Sequence, residues 1–346
     1  MASQNQFISL KEYQPLGAPK PEIFEIVDTA TPDAPKAGQF IFRVKYVSAD
    51  PYMSFRVRQA GGEGEFAGFH LGKPINGFIV GVVEEANECS TVKKGDILSG
   101  MGDYQKVQLL SEDKHMLHVA NGVSDDHLSY LIGVLGMTGC TAWAGVTRVL
   151  ECKKDKVLFV SGAAGAVGSA VGQLGRVLGL TVIGSAGSKE KCDRLKEHGF
   201  THAFNYKDCK SAKDVEEKLR EFSGEGIDYY FDNVGGDQLQ GAIAALKHKG
   251  RIAICGQITQ YGAAEQEKVA NCASTLLFKC ARIEGFMVFE WLGSESERSL
   301  FYKEMAGWVK EGKMQADETE FAFEKFGEAM GALFTGGNLG KVVVKA

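Results

Sequence analysis

Residues 156–191 read KVLFVSGAAGAVGSAVGQLGRVLGLTVIGSAGSKEK, and this stretch decides the fold. The run 157–161 is short and apolar, as a buried parallel strand requires. Ala163, Gly165 and Gly168 follow at the three small positions of a dinucleotide fingerprint. The first permits a tight turn, the second lets backbone approach a pyrophosphate, and the third lets a helix pack on the strand. The helix that follows aims its unpaired N–H groups at the phosphates. Residues 181–185 then make a second strand. A site for NAD places Asp or Glu near the end of that strand to hold the ribose 2′-hydroxyl. Here the chain continues Gly184-Ser185-Ala186-Gly187-Ser188, with Lys189 and Lys191 flanking Glu190. Positive charge suits the 2′-phosphate of NADP(H), and one charge-assisted contact of about 1.5–3 kcal/mol gives a preference rather than an exclusion. The alternative is a glycine-rich helix packed on a sheet with no ligand.

The 346 residues suffice for two domains, and 44% hydrophobic with 24% charged residues is an ordinary globular composition. A net charge of −5 and the lack of basic runs interleaved with aromatics argue against a nucleic-acid partner. The opening MASQNQFISLKEYQ has neither the charged nor the apolar region of a signal peptide. Stretches 128–147 and 157–175 carry no charge but are dense in glycine and interrupted by Ser, Thr or Gln, so they read as buried strand and helix and no membrane partner is expected. None of the eight cysteines forms a C-x-x-C pair, which points to reduced thiols and a cytoplasmic protein.

Up to about residue 130 the chain is β-like and rich in turns, with strands expected at 39–47, 79–85 and 97–99, a turn at 93–96 and a five-glycine flexible loop at 61–72. From about residue 131 helix and strand alternate. Strands are expected at 157–161, 181–185, 202–205, 227–231, 251–255 and 282–289, with helices such as 189–198 and 212–222 between them. This is the pattern of an α/β doubly wound parallel sheet. Helices at 297–310 and 323–335 and a last strand at 341–345 complete the chain. A cofactor domain inserted into a β domain fits this order. The cleft between two such domains is the default site.

Several motifs strengthen the reading: Ala49-Asp50-Pro51-Tyr52-Met53, LGMTGCTAWAG from Leu135, SGAAGAVGSAVGQ from Ser161, AFNYK from Ala203, FDNVGG from Phe231, GRIAICG from Gly250 and NLGK from Asn338. Together they resemble the medium-chain dehydrogenase/reductase superfamily. Within it they are most similar to the zinc-independent, NADPH-dependent alkenal/enone reductases, which include prostaglandin reductases and plant double-bond reductases. The resemblance spans nearly the whole chain. It implies a Rossmann domain at 134–302 and a GroES-like irregular β-barrel domain at 1–133, completed by 303–346 and carrying catalytic groups. It also implies a homodimer. For the cofactor, it implies Lys191 and Tyr206 at the 2′-phosphate and Gly165, Ala166, Val167 and Gly168 along the pyrophosphate. Thr141, Asn233 and Cys255 then face the nicotinamide half, Phe286, Met287 and Val288 form a strand beside the carboxamide, and Asn338 reaches in from the last segment.

Zinc relatives carry a Cys ligand and a Gly-His-Glu motif in the first domain, where this chain has Asp50-Pro51-Tyr52 and Asn76-Gly77-Phe78. No metal site is therefore expected. His115 and His118 lack companion ligands and read as surface residues, and His198 and His202 read as equally bland. The implied activity is reduction of the C=C bond of an α,β-unsaturated aldehyde or ketone, with 15-oxo-prostaglandins among the substrates the resemblance raises. Hydride goes to the β-carbon, and negative charge appears on the carbonyl oxygen, where a hydrogen-bond donor lowers the barrier by about 2.7–4 kcal/mol. Tyr52 and Tyr261 are the candidate protein donors. Phe278 falls where mammalian prostaglandin reductases carry a tyrosine, and phenylalanine donates no hydrogen bond. The segment 261–274 also lacks their proline-rich run, so eicosanoid specificity does not carry over. The alternatives are a zinc-free NADPH quinone reductase and a non-enzymatic NADPH-binding protein. Tyr206 and Lys210 match Tyr-x-x-x-Lys, but they follow the third strand of a fingerprint that starts only at residue 156, which excludes a short-chain dehydrogenase.

Overall fold

A computed structural model of the chain describes residues 5–59, 67–120, 125–263 and 272–346. The expected loop 61–72 lies outside the described residues for 61–66. The chain divides into two compact units. One is Met1–Gly133, Glu318–Asn338 and Val342–Ala346; the other is Val134–Asp317 and Leu339–Lys341.

The second unit is built on a six-stranded sheet. Its strands lie in the order His202–Asn205, Thr181–Ala186, Val157–Val160, Ile227–Asp232, Leu246–Ile254, Arg282–Gly285, and all are parallel. This 3-2-1-4-5-6 order is that of a doubly wound dinucleotide fold. The central strands Val157–Val160 and Ile227–Asp232 are almost wholly buried, as in a sheet covered on both faces. Phe159 stacks between Tyr230 (4.8 Å between centroids) and Phe204 (5.9 Å), and Val215, Leu219, Leu239 and Ile243 close one face. The helix Ala212–Ser223 starts at a Ser211 cap that accepts from Asp214 N (3.4 Å) and stops at Gly224, whose φ of +73° favours glycine.

Two strand boundaries differ from expectation. The fifth strand begins at Leu246 rather than at 251. The sixth stops at Gly285 rather than at 289, so Phe286, Met287 and Val288 are not a strand. The Phe286 ring instead packs edge-on against Phe231 (6.0 Å) and Trp291 (5.8 Å), and the helix Phe289–Leu292 follows at once. The helix Glu295–Lys310 belongs to this second unit, with buried Phe301 packed on Trp143 (6.1 Å). The division at Asp317 therefore lies beyond that helix, whereas one at 302 would cut through it.

In the first unit a seven-stranded sheet runs Glu318–Ala322, Lys341–Lys345, Gln39–Ser48, Asn76–Asn87, Ile97–Asp103, Met116–Val119, antiparallel from Lys341–Lys345 onward, with Val107–Ser111 also antiparallel on Gln39–Ser48. The strand Asn76–Asn87 is longer at both ends than the predicted 79–85. Bulges at Ile41/Phe42 and Val44/Tyr46 bend the long central strand. A separate antiparallel pair joins Asn5–Leu10 to Phe24–Thr29. The core holds Phe40, Phe42, Tyr104, Phe323 and Phe326. The last strand returning from residue 341 is what ties the chain's end into this sheet. Among the described residues no helix is long and apolar enough to cross a membrane.

Candidate functional site

Gly165–Gly168, Lys191, Tyr206, Asn233 and Cys255 follow the carboxyl ends of the parallel strands. Ligands bind outside those ends where the strand order reverses, here between Val157–Val160 and Ile227–Asp232. The glycine turn is tightly built. Gly162 has φ +58°, and a Cβ on Gly168 would lie 2.7 Å from Ala163 Cα, so only glycine lets the helix Ala166–Val177 approach this closely. Gly165 precedes that helix in extended conformation and supplies no side-chain cap, which leaves the first N–H groups of Ala166, Val167 and Gly168 to a ligand.

At the end of the second strand the structure gathers a cationic corner. The half-buried Lys191 has its pKa lowered, first by burial and then by the charge of Lys207. A Cβ on Gly187 would sit 3.2 Å from the Tyr206 hydroxyl and 3.4 Å from Lys207 Cε. The Asn205 side chain accepts from Lys207 N (3.1 Å) and holds the turn that presents both residues. Lys189 is elsewhere: exposed, and paired with Asp193 at 2.5 Å. Sequence reasoning reached Lys191 and Tyr206 and missed Lys207. Its adjacency to Tyr206, opposite the strand end that lacks an acid, was the available signal. The Tyr206 phenol and the Lys207 side chain beside Gly187, with the charge of Lys207 acting on Lys191, suit a phosphate. The turn and corner together therefore fit NADP(H).

Past the fourth strand, the buried Asp232 organises the crest. Its Oδ1 accepts from Tyr230 Oη (2.6 Å), Ser161 Oγ (3.2 Å), Val234 N (3.0 Å) and Gly235 N (2.9 Å), and burial pushes its carboxyl up. Asn233 is fixed by Nδ2 donating to Ser161 O (2.8 Å) and its own N–H donating to Ser161 Oγ (3.0 Å). The FDNVGG motif thus locks two strand ends together. Cys255 lies beside this carboxylate, and burial followed by Asp232 pushes its thiol up to about 12, so it is no nucleophile near neutrality. A Cβ on Gly256 would lie 2.9 Å from the Tyr261 hydroxyl, which places that phenol over the end of the fifth strand; burial raises its pKa. The structure thus brings Asn233, Cys255 and Tyr261 together. Thr141, in the helix Met137–Ala144, donates its hydroxyl to Met137 O (2.7 Å). Phe286 covers Gly145, Met287 is exposed and Val288 is buried. Gly340 N donates to Ala164 O (2.8 Å) and so seats the chain two residues beyond Asn338 on the glycine turn.

Tyr52 stands in the first unit, just before the short helix Met53–Arg56. Burial pushes its phenol well above the usual range, and the nearby Asp50 adds to the shift. Arg56, buried four residues on, donates to Ala67 O (2.8 Å), Asn76 O (2.9 Å) and Asn76 Oδ1 (2.6 Å), and stacks on Phe69. Tyr104 donates to Ser48 O, and the Ser48 hydroxyl to Asp50. Asn76, in the stretch expected to replace the Gly-His-Glu motif of zinc relatives, therefore receives a guanidinium. Arg56 was absent from the sequence reading, although its spacing from Tyr52 pointed to a shared helical face. His115 packs on Phe40 and accepts from Leu117 N (3.2 Å) through Nδ1, while His118 is exposed. Among the described residues no group of three or more His, Cys, Asp or Glu is placed to hold a metal ion.

The sequence pattern described as "Zinc-binding dehydrogenase" matches residues 166–306, and that described as "N-terminal domain of oxidoreductase" matches residues 6–119. The chain is 38% identical to the NADP(+)-dependent 2-alkenal reductase of Nicotiana tabacum, over 98% of this chain and 97% of that one. It is 36% identical to prostaglandin reductase 1 of Bos taurus, over 96% of each. The crystal structure of CurA from Vibrio vulnificus in complex with NADPH superposes with a TM-score of 0.87 at 31% identity, covering 99% of each chain. The chain belongs to the medium-chain dehydrogenase/reductase family, in its group of alkenal and prostaglandin reductases.

Proposed function

We propose that this protein reduces the C=C bond of α,β-unsaturated aldehydes and ketones with NADPH, as a 2-alkenal/enone reductase. The observation that carries the reading is the corner of Lys191, Lys207, Tyr206 and Gly187 at the end of the second strand, in a chain 38% identical to a 2-alkenal reductase. Bound NADPH would supply the hydride. The chain's part is to hold it and to meet the charge that develops on the substrate. Lys191, Lys207 and Tyr206 take the 2′-phosphate, the N–H groups of Ala166, Val167 and Gly168 take the pyrophosphate, and Thr141, Asn233, Cys255, the 286–288 segment and Asn338 serve the nicotinamide side.

For the substrate, Tyr52 and Tyr261 are the donors to the carbonyl oxygen. Both phenols are protonated at neutral pH, the state in which they donate, and burial moves their pKa further above the ordinary value. Arg56 and Asp50 fix the surroundings of Tyr52. In this reading the second unit binds the nucleotide. Free thiols at all eight cysteines suit a reducing, cytoplasmic setting. A homodimer suits the exposed Leu277 (71%) and Phe278 (81%) next to the edge strand Arg282–Gly285.

The test is a panel of enals, enones, quinones and 15-oxo-prostaglandins with NADPH and NADH. The reading expects NADPH oxidation with the saturated carbonyl as product. An allylic alcohol as the product, or turnover of quinones alone, sinks it.

A further inference from the structure

The segment 313–317 is fastened to the nucleotide-binding unit by two successive helices. From Ala166–Val177, the buried Gln173 donates to Gln315 O (3.0 Å) and accepts from Gln315 N (2.8 Å), and Arg176 donates to Lys313 O. From Lys189–Glu197, Arg194 donates to the Asp317 carboxylate through Nε (3.1 Å) and Nη2 (2.6 Å). At that helix's end the buried His198 pairs with Asp317 Oδ2 through Nε2 at 2.6 Å. Asp317 is thus gripped by a fork and a ring.

Its backbone then grips something else. Asp317 O accepts from Lys341 N (2.8 Å), and Gly340 N donates to Ala164 O (2.8 Å), inside the glycine turn. Gly340 has φ +66°, and a Cβ there would fall 2.6 Å from Asp317 Cβ. The chain from helix to turn is continuous: Arg194 and His198, Asp317, Lys341 and Gly340, Ala164.

We infer that Asp317 is a positioning residue for coenzyme binding: anchored by Arg194 and His198, it seats Leu339–Lys341 against Ala164 and so holds the glycine turn in its pyrophosphate-binding shape. The inference rests on the NADPH reading above. It has a signature that a phosphate-specific contact lacks. The pyrophosphate is common to both coenzymes, so losing the anchor weakens NADPH and NADH by the same factor.

The experiment uses the full chain and fluorescence titration with each coenzyme, together with hydrogen exchange of the coenzyme-free protein. Asp317→Asn should raise both dissociation constants about tenfold, within the range for residues that act through another group. It should also speed exchange at the Gly340 and Lys341 amides. Arg194→Lys, which keeps the charge and loses the fork, should show the same pattern more weakly, and serves if Asp317→Asn does not fold. Unchanged coenzyme affinity in a variant that has lost thermal stability would overturn the inference, because Asp317 would then be structural only. A loss confined to NADPH would overturn it too. A wild-type protein that binds neither coenzyme would instead refute the NADPH reading.

Discussion

Removing Lys207 tests the nucleotide reading most sharply, because the structure and not the sequence singles it out. Lys191 is half-buried, so its contact with a phosphate falls in the range of charge-assisted bonds, about 1.5–3 kcal/mol, or about 10- to 150-fold in affinity. Lys207 is exposed, and screened surface pairs contribute about 0–1 kcal/mol, at most about fivefold. Lys191→Ala should therefore raise the KM for NADPH by the larger factor and Lys207→Ala by the smaller, with the KM for NADH unchanged in both. Lys189→Ala is the control, since its partner is Asp193. The two lysines also interact with each other. Burial and Lys207 depress the Lys191 pKa, so Lys191 loses its charge at lower pH than an ordinary lysine. The KM for NADPH should rise in the alkaline range, and in Lys207→Ala that rise should move to higher pH. Steady-state kinetics with both coenzymes across pH reads all of this. Equal losses for NADPH and NADH, or an alkaline limb that stays in place in Lys207→Ala, would refute the assignment.

Other outcomes follow from the same geometry. Tyr52→Phe and Tyr261→Phe should each lower kcat with little change in the KM for NADPH; if neither lowers kcat, the donor is not a protein phenol. Gly168→Ala places a methyl group against the Ala163 backbone and should cost about 1–3 kcal/mol of stability by overpacking, read as a drop in Tm, together with weaker binding of both coenzymes. Cys255 should resist alkylation at pH 8, because its thiol is pushed up to about 12; rapid labelling there by mass spectrometry would contradict that shift. Leu277→Asp with Phe278→Asp should leave the fold intact and shift the protein to monomer in sedimentation, if the homodimer uses that surface.

Strands such as Val157–Val160 and Thr181–Ala186 in the second unit were legible because they are short apolar runs bounded by glycine or a polar turn. A doubly wound sheet leaves such runs few other ways to bury both faces. The failure at 286–288 has a local cause. Phe-Met-Val has the composition of a strand, but the Phe286 ring is needed over Gly145, where a Cβ would lie 2.9 Å from its Cζ. Turning the ring inward ends the strand, and composition does not encode that turn. The site divides in the same way. Lys191 and Tyr206 follow the strand ends at fixed distances, so spacing found them. Lys207 and Arg56 needed to be seen against Gly187 and Asn76, from which they are separated by 20 residues each in the chain.

Asp317 shows the limit most plainly. Nothing near it in sequence marks it, and His198 reads as a bland residue at a helix end. The two meet across 119 residues, with His198 buried. Their pairing has a consequence that separates it from surface decoration. Burial alone raises the Asp317 carboxyl, but the bonds from His198 and Arg194 outweigh burial and hold it below its ordinary 3.8. Because the folded-state value is depressed, the stabilisation is complete above the ordinary value and is lost as pH falls toward the depressed one. Wild-type protein should therefore lose stability between about pH 5 and the acid limit more steeply than Asp317→Asn, which has no carboxylate to protonate. Denaturant midpoints at pH 3 to 7 measure the two slopes. Parallel slopes would mean that the fork and ring do not hold Asp317 as described, and the anchoring of the glycine turn would fall with them.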